Sequence, residues 1–218
     1  MSAVLAQPEA MADVVDAESF RSATGASDTA MADMQAYLEL LGEWNQRMNL
    51  VGPSALKEFW PRHAWDSAQL LRLAPDALRW ADLGAGAGFP GVVLAILLKG
   101  RPGAHVDLIE SMAKRSRFLS EVVERLKLPA AVHIGRAEDM RLKVEVVTAR
   151  ALAPVTRLLG YVRPHLRPGI RGLFLKGQDV EAELTEATKC WKFEAQLWPS
   201  LSRADGRILE IKGPIRAV

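Results

Sequence analysis

The sequence predicts an α/β fold: a doubly wound, mostly parallel sheet with an antiparallel C-terminal hairpin, fronted by an N-terminal helical cap. Three observations predict it. From Leu78 onward, short apolar runs alternate with amphipathic stretches, the texture of βαβ units. The last two apolar runs have only Pro199–Gly206 between them, too little chain for a crossover helix. Ahead of Leu78 the apolar residues recur at helical rather than strand spacing.

Residues 1–30 are rich in Ala, Ser, Asp and Thr and are expected to be a loosely ordered acidic segment. Residues 31–77 form the cap and 78–218 the core, together one globular unit. In the cap, Met31, Met34, Leu38, Leu41 and Trp44 share one helical face, with Asp33, Glu39 and Glu43 between them. Gly52-Pro53 breaks that helix; a short helix over Ser54–Trp60 and another after Pro61 follow. Trp44, Trp60 and Trp65 are expected to pack the cap onto the sheet. In the core, strands are expected at about 78–83, 105–109, 131–134, 144–148, 171–175, 191–198 and 207–212. Helices are expected at about 90–99, 113–127, 154–166 and 178–189.

Composition narrows the class. The chain has 218 residues, 49% hydrophobic and 25% charged, which excludes collagen-like and largely disordered proteins. The longest apolar run, Val92–Leu98, is far below the ~20 residues that span a bilayer. Residues 1–30 hold five acids against Arg21 and no basic segment before an apolar stretch, so neither a signal nor a transit peptide is expected. The single cysteine, Cys190, excludes an internal disulfide and is expected as a core thiol of a cytoplasmic protein. His63, His105, His133 and His165 are scattered without metal-ligand spacing, so no metal is expected. The net charge of +2 conceals an asymmetry: residues 1–40 carry −6, leaving +8 on the rest. A basic body suits a polyanionic partner.

The segment Trp80–Gly91 reads W-A-D-L-G-A-G-A-G-F-P-G. It follows the first predicted strand and opens a helix, where glycines let backbone amides approach a ligand. Two readings compete. Gly86-x-Gly88-x-x-Gly91 satisfies a dinucleotide fingerprint, with Glu110, 19 residues further on, as the ribose acid. Asp82-x-Gly84-x-Gly86-x-Gly88 instead matches the D/E-x-G-x-G-x-G loop of S-adenosylmethionine-dependent methyltransferases. The local motif leaves both open, because a carboxylate ending the second strand serves the ribose of either cofactor. The C-terminal hairpin favours a methyltransferase, whose sheet also ends with an antiparallel strand.

Further blocks add a resemblance. Trp44-Asn45-x-x-x-Asn49-Leu50, Arg62-His63-x-x-Asp66-Ser67 and the loop Asp82–Gly91 come first. Ser111-x-x-Lys114-Arg115-x-Arg117-Phe118-Leu119, Arg150-Ala151, Leu175-Lys176-Gly177 and Arg207–Lys212 follow in order. Over about residues 35–212 the chain resembles the bacterial small-subunit (16S) ribosomal RNA guanine-N7 methyltransferases, the glucose-inhibited division protein B family. It departs in having Glu145 where an Asp is usual and Phe89 where a Leu is common. The resemblance implies a Rossmann-like methyltransferase sheet, S-adenosyl-L-methionine as methyl donor, and 16S ribosomal RNA or the small ribosomal subunit as partner. Family cofactor contacts carry over to Gly84, Phe89, Ala137, Glu138 and Arg150, beside the loop residues Asp82, Gly86 and Gly88 and the strand-ending Glu110. A monomer is expected.

Guanine N7 exposes an in-plane lone pair and needs no deprotonation, so no catalytic base is expected. Rate should come from alignment and electrostatics. Lys114, Arg115 and Arg117 open one helix, Lys176 ends the fifth strand, and with Arg62 and Arg203 they are the candidate phosphate contacts. His63 and Asp66, three apart on one helix face, can bond to each other or roof the pocket. Three rival functions remain: a methyltransferase with another substrate, a nicotinamide-dependent oxidoreductase, and a non-catalytic RNA-binding assembly factor.

Overall fold

The computed structural model describes residues 13–218. The cap comprises α1 (Ala17–Thr24), α2 (Asp28–Met48), a π-helical turn (Phe59–Ala64), α3 (Trp65–Ala68) and α4 (Leu70–Leu73). The core runs β1 (Arg79–Leu83), α5 (Gly91–Leu98), β2 (His105–Glu110), α6 (Ala113–Arg125) and β3 (Ala130–Ile134). After a 3-10 turn (Ala137–Asp139) it continues with β4 (Val146–Arg150), α7 (Val155–Val162), β5 (Arg171–Lys176) and α8 (Val180–Thr188). The hairpin β6 (Trp191–Pro199) and β7 (Arg207–Ala217) closes the chain.

The strands form a seven-stranded sheet in the order β3-β2-β1-β4-β5-β7-β6. The pairs β1–β2, β2–β3, β1–β4 and β4–β5 are parallel, whereas β7 pairs antiparallel with both β5 and β6. Strand alternation splits the interior into two cores. Trp80, Val106, Leu108, Val146 and Leu173 face the cap, α5 and α6. Ala81, Leu83, Ile109, Val147 and Leu209 face α7 and α8. All residues of α5 except Leu97 are buried, so the longest apolar run is a core helix. Strand order reverses between β1 and β4, the place where open α/β sheets leave a crevice at the strands' carboxyl ends.

The structure corrects several expectations. The loosely ordered segment is not found beyond residue 12; its first twelve residues lie outside the described ones. Asp16 and Ser19 form a capping box that starts α1, and Phe20 is wholly buried 5.3 Å from the Trp60 ring. Ser27 then caps α2, four residues before the apolar periodicity begins at Met31. Residues 54–58 are turns rather than a helix; the chain enters its next helical segment through Pro61, which has no N–H to give in a first turn. Trp44 packs on Phe118 of α6 at 5.8 Å and donates to Glu121. Cys190 is exposed, because it sits in the turn between α8 and β6 rather than inside either. Finally, β7 extends past Lys212 to Ala217, with a bulge in β6 between Lys192 and Glu194.

Candidate active site

Asp82 reaches the carboxyl edge on β1 and is wholly buried. Its Oδ2 accepts from Gly91 N–H at 2.8 Å, and Oδ1 has no partner among the described residues. Burial raises its pKa to about 7, against the opposing Gly91 N–H and Arg150 charge; Glu110 adds to the rise. Glu110 ends β2, with Oε2 accepting from Gly86 N–H at 2.9 Å and Oε1 from Met112 N–H at 2.8 Å. Two carboxylates thus tie the glycine loop to the sheet, and Tyr37 from α2 adds a third tie by donating to Ala87 O at 2.5 Å. Gly84, Gly86 and Gly88 have φ of 71°, 57° and 99°, which other residues rarely adopt. A Cβ at Gly86 would have only Gly84 O, at 3.7 Å, within 4 Å, so the loop backbone there is open.

Arg150, at the end of β4, is the hub of the opposite wall. Its guanidinium lies 5.5 Å from the Phe89 ring centroid and 3.6 Å from Asp66 Oδ2, and it donates to Arg62 O. It also engages His63 Nδ1, and the His63 ring stacks on Phe89 at 4.8 Å. Burial first, then the Arg150 and Arg62 charges, push the His63 pKa down to about 3. His63 is therefore neutral at physiological pH.

Three cavities adjoin along this edge. One of about 410 Å³ is lined by Gly84, Gly86, Phe89, Glu110, Arg115 and Arg150. A second, about 290 Å³, shares Gly84 and reaches Gly135, Ala137 and Glu138. His165, whose pKa is lowered chiefly by burial, holds that turn by donating from Nε2 to Ala137 O at 2.8 Å. The third, about 300 Å³, lies beyond Arg150 and includes Arg62, Asp66, Lys176, Asp179 and Glu183. A larger cavity of about 550 Å³ sits apart, against the α1–α2 turn and the end of α5, and contains none of these residues. The open glycine backbone beside a ribose-height carboxylate fits a nucleoside-bearing donor such as S-adenosylmethionine.

Residues 30–212 match the family described as rRNA small subunit methyltransferase G. A ribosomal RNA small subunit methyltransferase G of Caulobacter vibrioides is 58% identical over 205 residues, 94% of each chain. One from a Bradyrhizobium species is 50% identical over 182 residues, 82% of each chain. The chain belongs to this family. It is accordingly a methyltransferase of small-subunit ribosomal RNA that uses S-adenosylmethionine. Solved structures agree on the fold alone. A putative O-methyltransferase from Klebsiella pneumoniae gives a TM-score of 0.57 at 13% identity, covering 90% of this chain and 96% of that one. The O-methyltransferase TomG from Streptomyces achromogenes, in complex with SAM, gives 0.54 at 15%, covering 83% and 90%.

In this methyltransferase, Gly84, Gly86, Phe89, Glu110, Ala137, Glu138 and Arg150 line the first two cavities. Asp82 and Gly88 stand behind the loop instead; a Cβ at Gly88 would meet Val92 Cγ2 at 2.6 Å and the Tyr37 hydroxyl at 2.7 Å. Among the candidate cations, Lys114 and Arg117 are exposed on α6, while Arg115 and Arg62 line the first and third cavities. Lys176 and Arg203 line the third cavity too, Lys176 Nζ lying 2.6 Å from Glu183 Oε2 and Arg203 paired with Asp205. Sequence reasoning missed Tyr37 and His165, which hold the loop and the 3-10 turn through single hydrogen bonds. Their only signal was a polar group inside an apolar helical pattern.

The raised Asp82 pKa sets a pH prediction. In the window between its unfolded value of 3.8 and its folded value of about 7, the folded state holds one proton more than the unfolded chain. Asp82 therefore contributes stability that is fully present below 3.8 and lost as pH rises through about 7. Asp82→Asn removes that loss. Its stability relative to wild type is expected to improve by about 2–3 kcal/mol between pH 5 and pH 8, as read by urea unfolding. A pH-independent difference between the two proteins would refute the raised pKa.

Proposed function

We propose that the enzyme methylates N7 of a guanine in 16S ribosomal RNA, acting as a cytoplasmic monomer by direct in-line transfer without a general base. The engagement of His63 carries this reading. It is the imidazole at the crevice, yet its Nδ1 lone pair is taken by Arg150 and its pKa is held at about 3. A ring in that state takes no proton at physiological pH. Methylation of a base amino group or ribose hydroxyl requires one to be taken, whereas guanine N7 offers its lone pair directly.

S-adenosylmethionine, when bound, supplies an electrophilic methyl group on a sulfonium. The residues of the chain bind and orient. The open loop backbone at Gly84 and Gly86, with the Glu110 carboxylate, would hold the ribose side of the donor. Ala137 and Glu138 would hold its base, with Phe89 and Arg150 closing the wall toward the RNA. Asp82 and Gly88 fix the loop from behind. Lys114, Arg115, Arg117 and Arg62 would take RNA phosphates, which position the duplex without reading sequence.

The test is mass spectrometry of small-subunit ribosomal RNA from cells with and without the gene. Loss of one 7-methylguanosine is expected. An unchanged 7-methylguanosine content would reject the proposal.

A further inference from the structure

We propose that the third cavity, beyond Arg150, receives the target guanine and that Asp179 reads its Watson–Crick edge. This rests on the guanine-N7 reading and adds a specificity-determining residue to it.

Placement comes first. Arg150 and Ala151 form a wall common to the cavity of about 410 Å³ at the glycine loop and the cavity of about 300 Å³ beyond it. Ala151 is a non-glycine residue at φ 51°, the kind of backbone strain that collects at functional sites. A purine entering the far cavity with N7 toward this wall turns N1–H and the 2-amino group to the opposite side. Lys176, Gly177, Asp179 and Glu183 line the same cavity, and Asp179 and Glu183 supply the carboxylates that could meet that edge.

Engagement then singles out one group. Glu183 Oε2 takes Lys176 at 2.6 Å and Val155 N–H at 2.7 Å, and Asp66 Oδ1 takes the Ser202 hydroxyl at 2.8 Å and the Gln69 amide at 3.0 Å. Asp179 differs. It stands at the N-cap of α8, where an Asp side chain normally bonds the first amides, yet it makes no cap bond. It is exposed and lines the cavity, and while its carbonyl accepts from Glu183 N–H at 3.0 Å, its side chain has no hydrogen bond or ion pair among the described residues. A carboxylate offers two parallel acceptors. Guanine presents two adjacent donors, N1–H and the 2-amino group; adenine, cytosine and uracil present no such pair. A negative group on that side also favours the base as it becomes cationic.

The test uses full-length enzyme and small subunits purified from cells lacking the gene. Asp179→Asn, with one acceptor replaced by a donor, is expected to lower kcat/KM about 10- to 100-fold. The affinity for S-adenosylhomocysteine and the thermal midpoint stay at wild-type values, since Asp179 touches neither loop nor core. Asp179→Glu keeps both acceptors and is expected to recover most of the activity. An Asn variant within twofold of wild type overturns the inference, as does a Glu variant no better than Asn. So does a loss matched by a fall in donor affinity or thermal midpoint. If wild-type enzyme forms 7-methylguanosine and the Asn variant does so equally well, this inference alone falls. If wild type forms none, the guanine-N7 reading falls and takes it along.

Discussion

Gly91→Ala is expected to destabilise the protein by about 2–4 kcal/mol and to abolish cofactor binding. A Cβ at this position would run into the Leu108 side chain and stand 2.7 Å from Asp82 Oδ2 and 2.8 Å from Asp82 Cβ. None of these neighbours is the far end of a flexible surface chain. Leu108 is wholly buried on β2, and Asp82 is wholly buried on β1. Relief requires α5 to withdraw from the sheet, which breaks the 2.8 Å bond from Gly91 N–H to Asp82. That bond is the only partner of the Asp82 carboxyl among the described residues, so a fully buried acid would be stranded. For a domain of this size the melting temperature should fall on the order of 10 °C. Calorimetry with S-adenosylhomocysteine should show affinity lower by at least about 100-fold, because the loop and the helix start move together. Gly100→Ala is the contrast: its Cβ would meet nothing within 4 Å, and only its φ of 88° opposes the change. It should cost about 1–2 kcal/mol and leave binding intact. Equal effects of the two substitutions would show that sterics at Gly91 do not matter.

The contrast explains what could be read in advance. Sheet, hairpin and glycine loop were legible because each has a local signal: the alternation after Leu78, the short Pro199–Gly206 connection and the strand–loop–helix context of Asp82–Gly91. The start of the cap was not, although Asp16-x-x-Ser19 is a local capping signal, because its meaning depends on Phe20 finding Trp60 forty residues away. The partner of Lys176 was hidden for a related reason, since only the fold brings Glu183 to it. Arg150 was visible as a strand-ending Arg, but its partners Arg62, His63 and Asp66 lie more than eighty residues earlier. Local chemistry is written in the chain; the pairing of distant charges is a property of the packed fold.

That pairing makes Arg150→Ala the most informative single change at the site. The guanidinium is largely buried and stands between Asp66, His63 and the Phe89 face. Losing a preorganised charge of this kind typically costs about 10²–10³ in rate, and that loss in kcat on small subunits is the expected result. Arg150→Lys keeps the charge without the planar fork, so it should restore only part of the activity. A second readout belongs to His63. In the wild type its folded pKa of about 3 lies below the unfolded 6.5, so the unfolded chain binds the extra proton between them. Its contribution to stability is therefore present above 6.5 and lost as pH falls toward 3. Asp82, raised from 3.8 to about 7, has the opposite slope, and between about 4 and 6.5 the two offset each other. Removing Arg150 deletes the second-largest cause of the His63 shift and leaves burial in place. The His63 pKa should rise from about 3 while staying below 6.5, measurable by NMR titration of the imidazole protons. With the His63 slope reduced and the Asp82 slope kept, the variant should gain stability relative to wild type as pH falls from 6.5 toward 4. A near-normal kcat would show that Arg150 does not serve the reaction, and His63 still at about 3 would show that Arg150 does not contribute to its shift.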